Sequence, residues 1–160
     1  MDKPKIHPEA KIAPGAVVTG QAVLKKGVNI WYNAVIRADL EPIVLGENTN
    51  LQDCCVMHVS RGCPTDIGSH VTIGHSAILH GCTVGDNTLI GMGAIIMDKA
   101  VIGKNCIVAA GAVVVGGTVV PDGSLVMGAP AKVKRETTEA ECKANFETAV
   151  HYIEAAAEEL

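Results

Sequence analysis

The sequence predicts an all-β fold, a parallel β-helix of about seven coils that is followed by one α-helix. Three observations predict it. An aliphatic residue recurs every six residues over most of the chain, a small residue usually follows it four positions later, and Gly, Asn and Asp lie between the repeats. Aromatic residues make up only 2% of the sequence and apolar residues 48%, which indicates an aliphatic core of thin layers.

The period of six predicts short strands that turn after each repeat. Turn residues such as Gly85-Asp86-Asn87 argue against helix, and the β-branched enrichment favours strand. Three strands per coil form a prism whose coils stack about 4.8 Å apart. The aliphatic positions are Ile6, Ile12, Val18, Leu24, Ile30, Ile36, Leu45, Leu51, Met57, Ile67, Ile73, Leu79, Val84, Ile90, Ile96, Ile102, Val108, Val114, Val120 and Val126.

Three interruptions break the period. Extra residues surround Leu40-Glu41-Pro42 and Arg61-Gly62-Cys63-Pro64, and one residue is missing between Leu79 and Val84. In a β-helix such irregularities form extruded loops or local kinks, often beside a site.

The repeat ends near residue 135, which divides the chain into a β-helix domain, residues 1–135, and a C-terminal segment, residues 136–160. Thr138 and Glu141 fit a capping box. Apolar residues then follow at helical spacing, which predicts an amphipathic helix over about 138–159 that packs along the prism.

Two histidines fall in one column of the predicted prism. Counting repeats in threes places Arg37, His58 and His80 at the second position of one face in successive coils. Neighbouring coils are close enough for two imidazoles to hold one ion. The same count puts Asp53 and His75 together on a different face, one coil apart.

His75 therefore lies across a corner from the column, and one chain has difficulty bringing all three rings to one ion. A homotrimer resolves this, because each interface sets His58 and His80 of one chain against His75 of its neighbour. We interpret His7, His70 and His151 as structural residues.

Composition excludes several other functions. A net charge of −4 with no basic stripe argues against nucleic acid, and no apolar run is long enough to span a membrane. The N-terminus leads into no apolar h-region, so we expect a cytoplasmic protein. The six cysteines form no C-x-x-C pair and are expected to be reduced; Cys54, Cys55 and Cys63 are interpreted as ordinary thiols.

Several motifs together resemble the γ-class carbonic anhydrase family over about residues 10–135. They are Arg37-Ala38-Asp39, Thr49-Asn50-Leu51-Gln52-Asp53, His58, Ile73-Gly74-His75, Leu79-His80-Gly81-Cys82 and Gly128-Ala129-Pro130-Ala131-Lys132-Val133. The resemblance implies a left-handed coil, a homotrimer, and zinc held by His58, His75 and His80 from two subunits. Fe²⁺ or Co²⁺ also suits such nitrogen ligands.

The resemblance further implies reversible hydration of CO₂ to bicarbonate by a metal-bound hydroxide. Gln52 would orient the water, Arg37 and Asp53 would pair across the interface, and Asp39 would support that pair. Tyr152 would reach the site from the terminal helix.

The sequence departs from the family pattern where active members carry glutamates. Leu40 follows Asp39, and the loop after His58 contains no acid, so Glu41 is the nearest candidate for proton transfer. Two alternatives therefore remain open. One is a metal-binding scaffold with little catalysis; the other is a hexapeptide acyltransferase, with one histidine as base, or a related thioesterase.

Overall fold

The computed structural model describes residues 3–160 as a three-sided prism of stacked coils with one helix on its side. The helix is α1 (Glu139–Glu159). The strands are β1 (Lys5–Ile6), β2 (Lys11–Ile12), β3 (Val17–Leu24), β4 (Asn29–Ile30), β5 (Val35–Leu45), β6 (Asn50–Leu51), β7 (Val56–His58), β8 (Thr65–Ile67), β9 (Thr72–Ile73), β10 (Ile78–His80), β11 (Thr83–Val84), β12 (Leu89–Ile90), β13 (Ile95–Ile96), β14 (Val101–Ile102), β15 (Ile107–Val108), β16 (Val113–Val114), β17 (Val119–Val120), β18 (Ser124–Gly128) and β19 (Ala131–Glu136).

Strands stack in parallel from coil to coil on three faces of the prism, and β3 and β5 each continue from one face to the next. Face A contains the first half of β3 and of β5, then β7, β10, β13 and β16. Face B contains β1, the second half of β3 and of β5, then β8, β11, β14 and β17. Face C contains β2, β4, β6, β9, β12, β15 and β18, and closes with the antiparallel β19. The predicted parallel β-helix is confirmed.

The core is a set of aliphatic columns that point into the prism. On face C, Ile30, Leu51, Ile73 and Ile90 are each fully buried and pair in register from coil to coil. These residues are the predicted aliphatic positions. Apolar burial of one side chain per repeat stabilises a coil only when another coil covers it, so the stack gains stability as it lengthens.

The first interruption is a bend in a continuous strand instead of an extruded loop. Residues 40–42 lie within β5, whose pairing with β3 shifts register between Gly20 and Ala22. Gly20 has φ +73°, and a Cβ there would lie 2.1 Å from the carbonyl oxygen of Ala38. A glycine is therefore required where the two strands change register. The second interruption forms a turn closed by a bridge between Ser60 and Cys63.

Helix α1 begins with the predicted capping box and docks on face C. The Thr138 side chain accepts a hydrogen bond from Glu141 N, and the Glu141 carboxylate accepts one from Thr138 N. Arg135 holds the pKa of Glu141 at about 2. None of the helices in residues 3–160 is both long and apolar enough to cross a membrane.

Asn145 of helix α1 bonds the helix to one corner of the prism. The buried Asn145 amide donates to the carbonyl oxygens of Asn87 and Cys106, both at 3.1 Å. His70 occupies the corner one coil below Asn87, and its ring lies 4.8 Å from the Phe146 ring. The structural role predicted for His70 follows from this contact with the helix.

We expect the inward and outward positions of the repeat to differ sharply in their effect on stability. Ile102→Ala removes a side chain that is 1% exposed, and should lower the free energy of unfolding by about 2–5 kcal/mol. Val119→Ala, at an outward position that is 70% exposed, should change it by about 0.5 kcal/mol or less. Denaturant unfolding at one fixed protein concentration measures both. Equal losses would contradict the assignment of inward columns to the core.

Candidate metal centre

His58 and His80 meet on face A, as the face count predicts. Strands β7 and β10 are neighbours, and His80 pairs directly with His58. Nδ1 of His58 lies 3.0 Å from Nε2 of His80, and the ring centroids are 4.9 Å apart. The coil spacing thus brings two ring nitrogens to one point.

Asp39 contacts the second ring nitrogen of His58. Its Oδ1 lies 2.9 Å from His58 Nε2, and its Oδ2 accepts a short hydrogen bond from Arg37 Nη1. Partial desolvation raises the pKa of Asp39, but the hydrogen bonds from His58 and Arg37 outweigh it, and the pKa is lowered overall. Within one chain Arg37 therefore pairs with Asp39, whereas its implied pairing with Asp53 across an interface stays a prediction.

Asp98 contacts the second ring nitrogen of His80. The sequence analysis did not identify Asp98 as a site residue. Its Oδ1 lies 2.5 Å from His80 Nδ1. The hydrogen bond from His80 lowers the pKa of Asp98, and one from Ser60 lowers it further against the effect of desolvation. Counting coils would not have found it, because Ile96 stacks on Leu79, which sets Met97 above His80 and Asp98 one residue further along.

His75 lies around the corner with its own carboxylate. Asp53 is one coil below it, and Asp53 Oδ2 lies 2.8 Å from His75 Nδ1. Within residues 3–160 of a single chain, no three His, Cys, Asp or Glu side chains form a group that could hold a metal ion. The fold thus brings His58 and His80 together and leaves His75 apart, with its Nε2 free of the Asp53 contact.

The two carboxylates and the two rings of the histidine pair form one line of contacts. It runs from Asp39 through His58 and His80 to Asp98. A neutral imidazole has one N–H group, and an ionised carboxylate has none to donate. When each ring donates to its own carboxylate, the facing nitrogens of His58 and His80 are both acceptors, which is the arrangement that a cation between them would use.

Gln52 and Tyr152 line the same cavity as His75. The cavity has a volume of about 400 Å³ and runs between face C and helix α1. Gln52 is only 4% exposed, and its amide donates to Asn50 Oδ1 at 3.1 Å. Burial raises the pKa of Tyr152, whose ring packs edge-on against Trp31 at 5.5 Å. Both residues therefore lie on the His75 side of the corner.

The Glu41 carboxylate bonds the turn that follows His58. Its Oε1 accepts a hydrogen bond of 2.8 Å from the backbone N of Gly62. The carboxylate thus shapes residues 60–63, and the contacts of His58 and His80 are made by Asp39 and Asp98 instead.

A ladder of aliphatic side chains runs up the outside of face A beside the histidine column. Its members pair in register from coil to coil and are half-buried or partly exposed on the single chain: Val17, Val35, Val56, Ile78, Ile95 and Val113. We call this surface the face A ladder. Such a contiguous exposed apolar patch indicates a protein–protein interface.

Comparison with known proteins identifies the family. The family model for "Bacterial transferase hexapeptide (six repeats)" matches residues 81–116. A protein of Methanocaldococcus jannaschii described as "Probable carbonic anhydrase" is 53% identical over 148 residues, which cover 92% of this chain and 93% of that protein. "Gamma carbonic anhydrase 2, mitochondrial" of Arabidopsis thaliana is 40% identical over 94% of this chain and 56% of its own length.

A solved structure of a hexapeptide transferase family protein from Anaplasma phagocytophilum has a TM-score of 0.94. It is 41% identical, and the match covers 98% of this chain and 93% of that one. The chain belongs to the γ-class carbonic anhydrase family and has the left-handed β-helix of its structural neighbours. The family and the hand that the motifs imply are confirmed.

Two buried thiols in the coils of the site are expected to be inert. All six cysteines are free, and burial raises the pKa of both Cys55 and Cys82 to about 12. At pH 8 iodoacetamide should label the exposed Cys54 well before Cys55, its sequence neighbour. Site-resolved mass spectrometry before and after denaturation measures this. Rapid native labelling of Cys55 or Cys82 would show that the coils open locally.

Proposed function

We propose that this chain is the protomer of a zinc-dependent enzyme that converts CO₂ and water reversibly to bicarbonate. The ion would be held by His58 and His80 of one chain and His75 of a neighbouring chain. The observation that carries the proposal is the pair of ring nitrogens 3.0 Å apart, each ring backed by a carboxylate.

The donor set fits such an ion. Two nitrogens 3.0 Å apart can both lie within the 2.0–2.1 Å that Zn²⁺ requires. Histidines that ligate a metal usually bond a carboxylate through the other ring nitrogen, as His75 does with Asp53 and His80 with Asp98. Imidazole also suits Fe²⁺ and Co²⁺, so the metal loaded in the cell depends on availability.

When bound, the metal would lower the pKa of water and so supply a nucleophile for CO₂ at neutral pH. The residues of this chain act around that reaction. Gln52 presents a buried amide on the His75 side, held by Asn50, and would orient the reacting water. Asp39 is fixed by Arg37 and keeps the His58 ring in place. Tyr152 lines the His75 cavity together with Gln52.

Proton release is the step for which this chain provides least. Glu41 is bonded to Gly62, and residues 59–62 contain no acid. We infer that buffer molecules accept the proton directly. This absence of a dedicated acid also favours the second candidate, a metal-binding scaffold with slow catalysis.

The face A ladder supports a homotrimer as the functional unit. It lies beside His58 and His80, while His75 lies around the corner, so one cyclic contact would cover the ladder and bring the third ring to the pair. A trimer would contain three equivalent sites. The acyltransferase alternative shares the fold with this chain, but it needs one histidine base and gives no reason for three carboxylate-paired rings. Cytoplasmic location stays a prediction.

The metal should depend on the predicted ligands, and activity on the metal. Purified protein should contain about one ion per chain, and His80→Ala should lose most of the ion together with CO₂ hydration. His151→Ala, on the exposed side of helix α1, is the matched control and should retain both. Metal analysis and stopped-flow CO₂ hydration with zinc-loaded and iron-loaded protein measure this. Bound metal without hydration under either loading would favour the scaffold, and no stoichiometric ion would overturn the proposal.

The trimer should depend on the face A ladder. Ile78→Glu places a charge in the middle of the ladder and should shift the protein to monomers, because an unpaired charge is costly to bury. Thr83→Glu, at an exposed position on face B, is the control and should leave the trimer intact. Light scattering coupled to gel filtration gives the mass. A trimer that persists in Ile78→Glu would exclude the ladder from the interface.

A further inference from the structure

We propose that Asp98 is a positioning residue that keeps the proton of the His80 ring on Nδ1 and so leaves the Nε2 lone pair facing His58. The resemblance to the family motifs does not include Asp98. The first part of the inference concerns the chain alone, and the second part, a gain in metal affinity, rests on the proposed function.

The contact between Asp98 and His80 is built into the coil. Asp98 Oδ1 lies 2.5 Å from His80 Nδ1, and the backbone holds Asp98 in place through the next corner, where Lys99 N donates to Gly81 O and Gly117 N to Asp98 O. A Cβ on Gly81 would lie 2.4 Å from Asp98 Oδ1. Gly81 therefore leaves the space that the Asp98 carboxylate occupies.

The tautomer follows from the chemistry of the two groups. A neutral imidazole has one N–H, and an ionised carboxylate can only accept. Asp98 Oδ1 lies 2.5 Å from His80 Nδ1, so this contact contains a hydrogen bond, and with a carboxylate as the acceptor the proton lies on His80 Nδ1. Nε2 then carries a lone pair directed at His58 Nδ1, 3.0 Å away. A ring in this tautomer is ready to ligate a metal through Nε2.

The same device is repeated at each predicted ligand. Asp39 bonds His58, Asp53 bonds His75, and Asp98 bonds His80. Asp39 and Asp53 fall within strings that the family motifs cover, while Asp98 comes from the following coil. Without it, His80 would be the one ring of the three with no carboxylate partner.

The test of the first part uses metal-free protein. In ¹⁵N-histidine-labelled protein, long-range ¹H–¹⁵N spectra assigned with His80→Gln should show the wild-type His80 ring protonated at Nδ1. Asp98→Asn should change that pattern, because its amide group can donate to Nδ1 and move the proton to Nε2. Asp98→Ala is the second variant and should give a mixture of tautomers. A wild-type ring protonated only at Nε2, or an unchanged pattern in both variants, would overturn the inference.

The test of the second part is competition for Zn²⁺ and Co²⁺ with a chromophoric chelator, on protein of confirmed trimeric mass. Asp98→Asn should bind about 10–100-fold more weakly than wild type, with an unchanged melting temperature. Asp122→Asn is the matched control, because Asp122 is also a turn aspartate but bonds only the backbone N of Lys104, and its affinity should stay within twofold. Affinity unchanged in Asp98→Asn would overturn the second part. Wild type that binds neither metal would defeat the proposed function, while the tautomer result still decides the role of Asp98.

Discussion

The stacking of one coil on the next is the constraint from which the other features of this protein follow. Each short strand satisfies its backbone hydrogen bonds only on the coils above and below, so the register of one coil determines the position of every side chain in its neighbours. A residue's partner is then the residue one coil away, not one nearby in sequence. His58 and His80 are 22 residues apart and in direct contact for this reason.

Stacking also explains why the site is made of columns. Carboxylates and imidazoles lie one coil apart along the prism, as Asp53 does below His75. Rigid strands hold these rings better than loops would, and the carboxylates decide which ring nitrogen is available.

In a single prism His75 stays apart from the histidine pair, because the three faces point in different directions. His75 stands on the corner of face C and the histidine pair on face A. A second chain that covered the histidine pair would also bury the apolar side chains of the face A ladder. The same contact would bring its His75 to the pair. One surface would then serve both trimer formation and completion of the metal site. This would explain why face A carries aliphatic residues where the surface of a monomer would be polar.

The sequence by itself determined the repeat, the inward columns, the pairing of His58 with His80 and of Asp53 with His75, and the capping box at Thr138. These depend on period and local chemistry, which a sequence displays directly. Only the tertiary structure decided that Asp98 bonds His80, that Glu41 caps the turn at Gly62, and that His70 packs on Phe146. The physical reason is that these contacts do not follow the columns: Met97 stacks on His80, Asp98 reaches it from the next position, and a helix can cover a corner far from it in sequence.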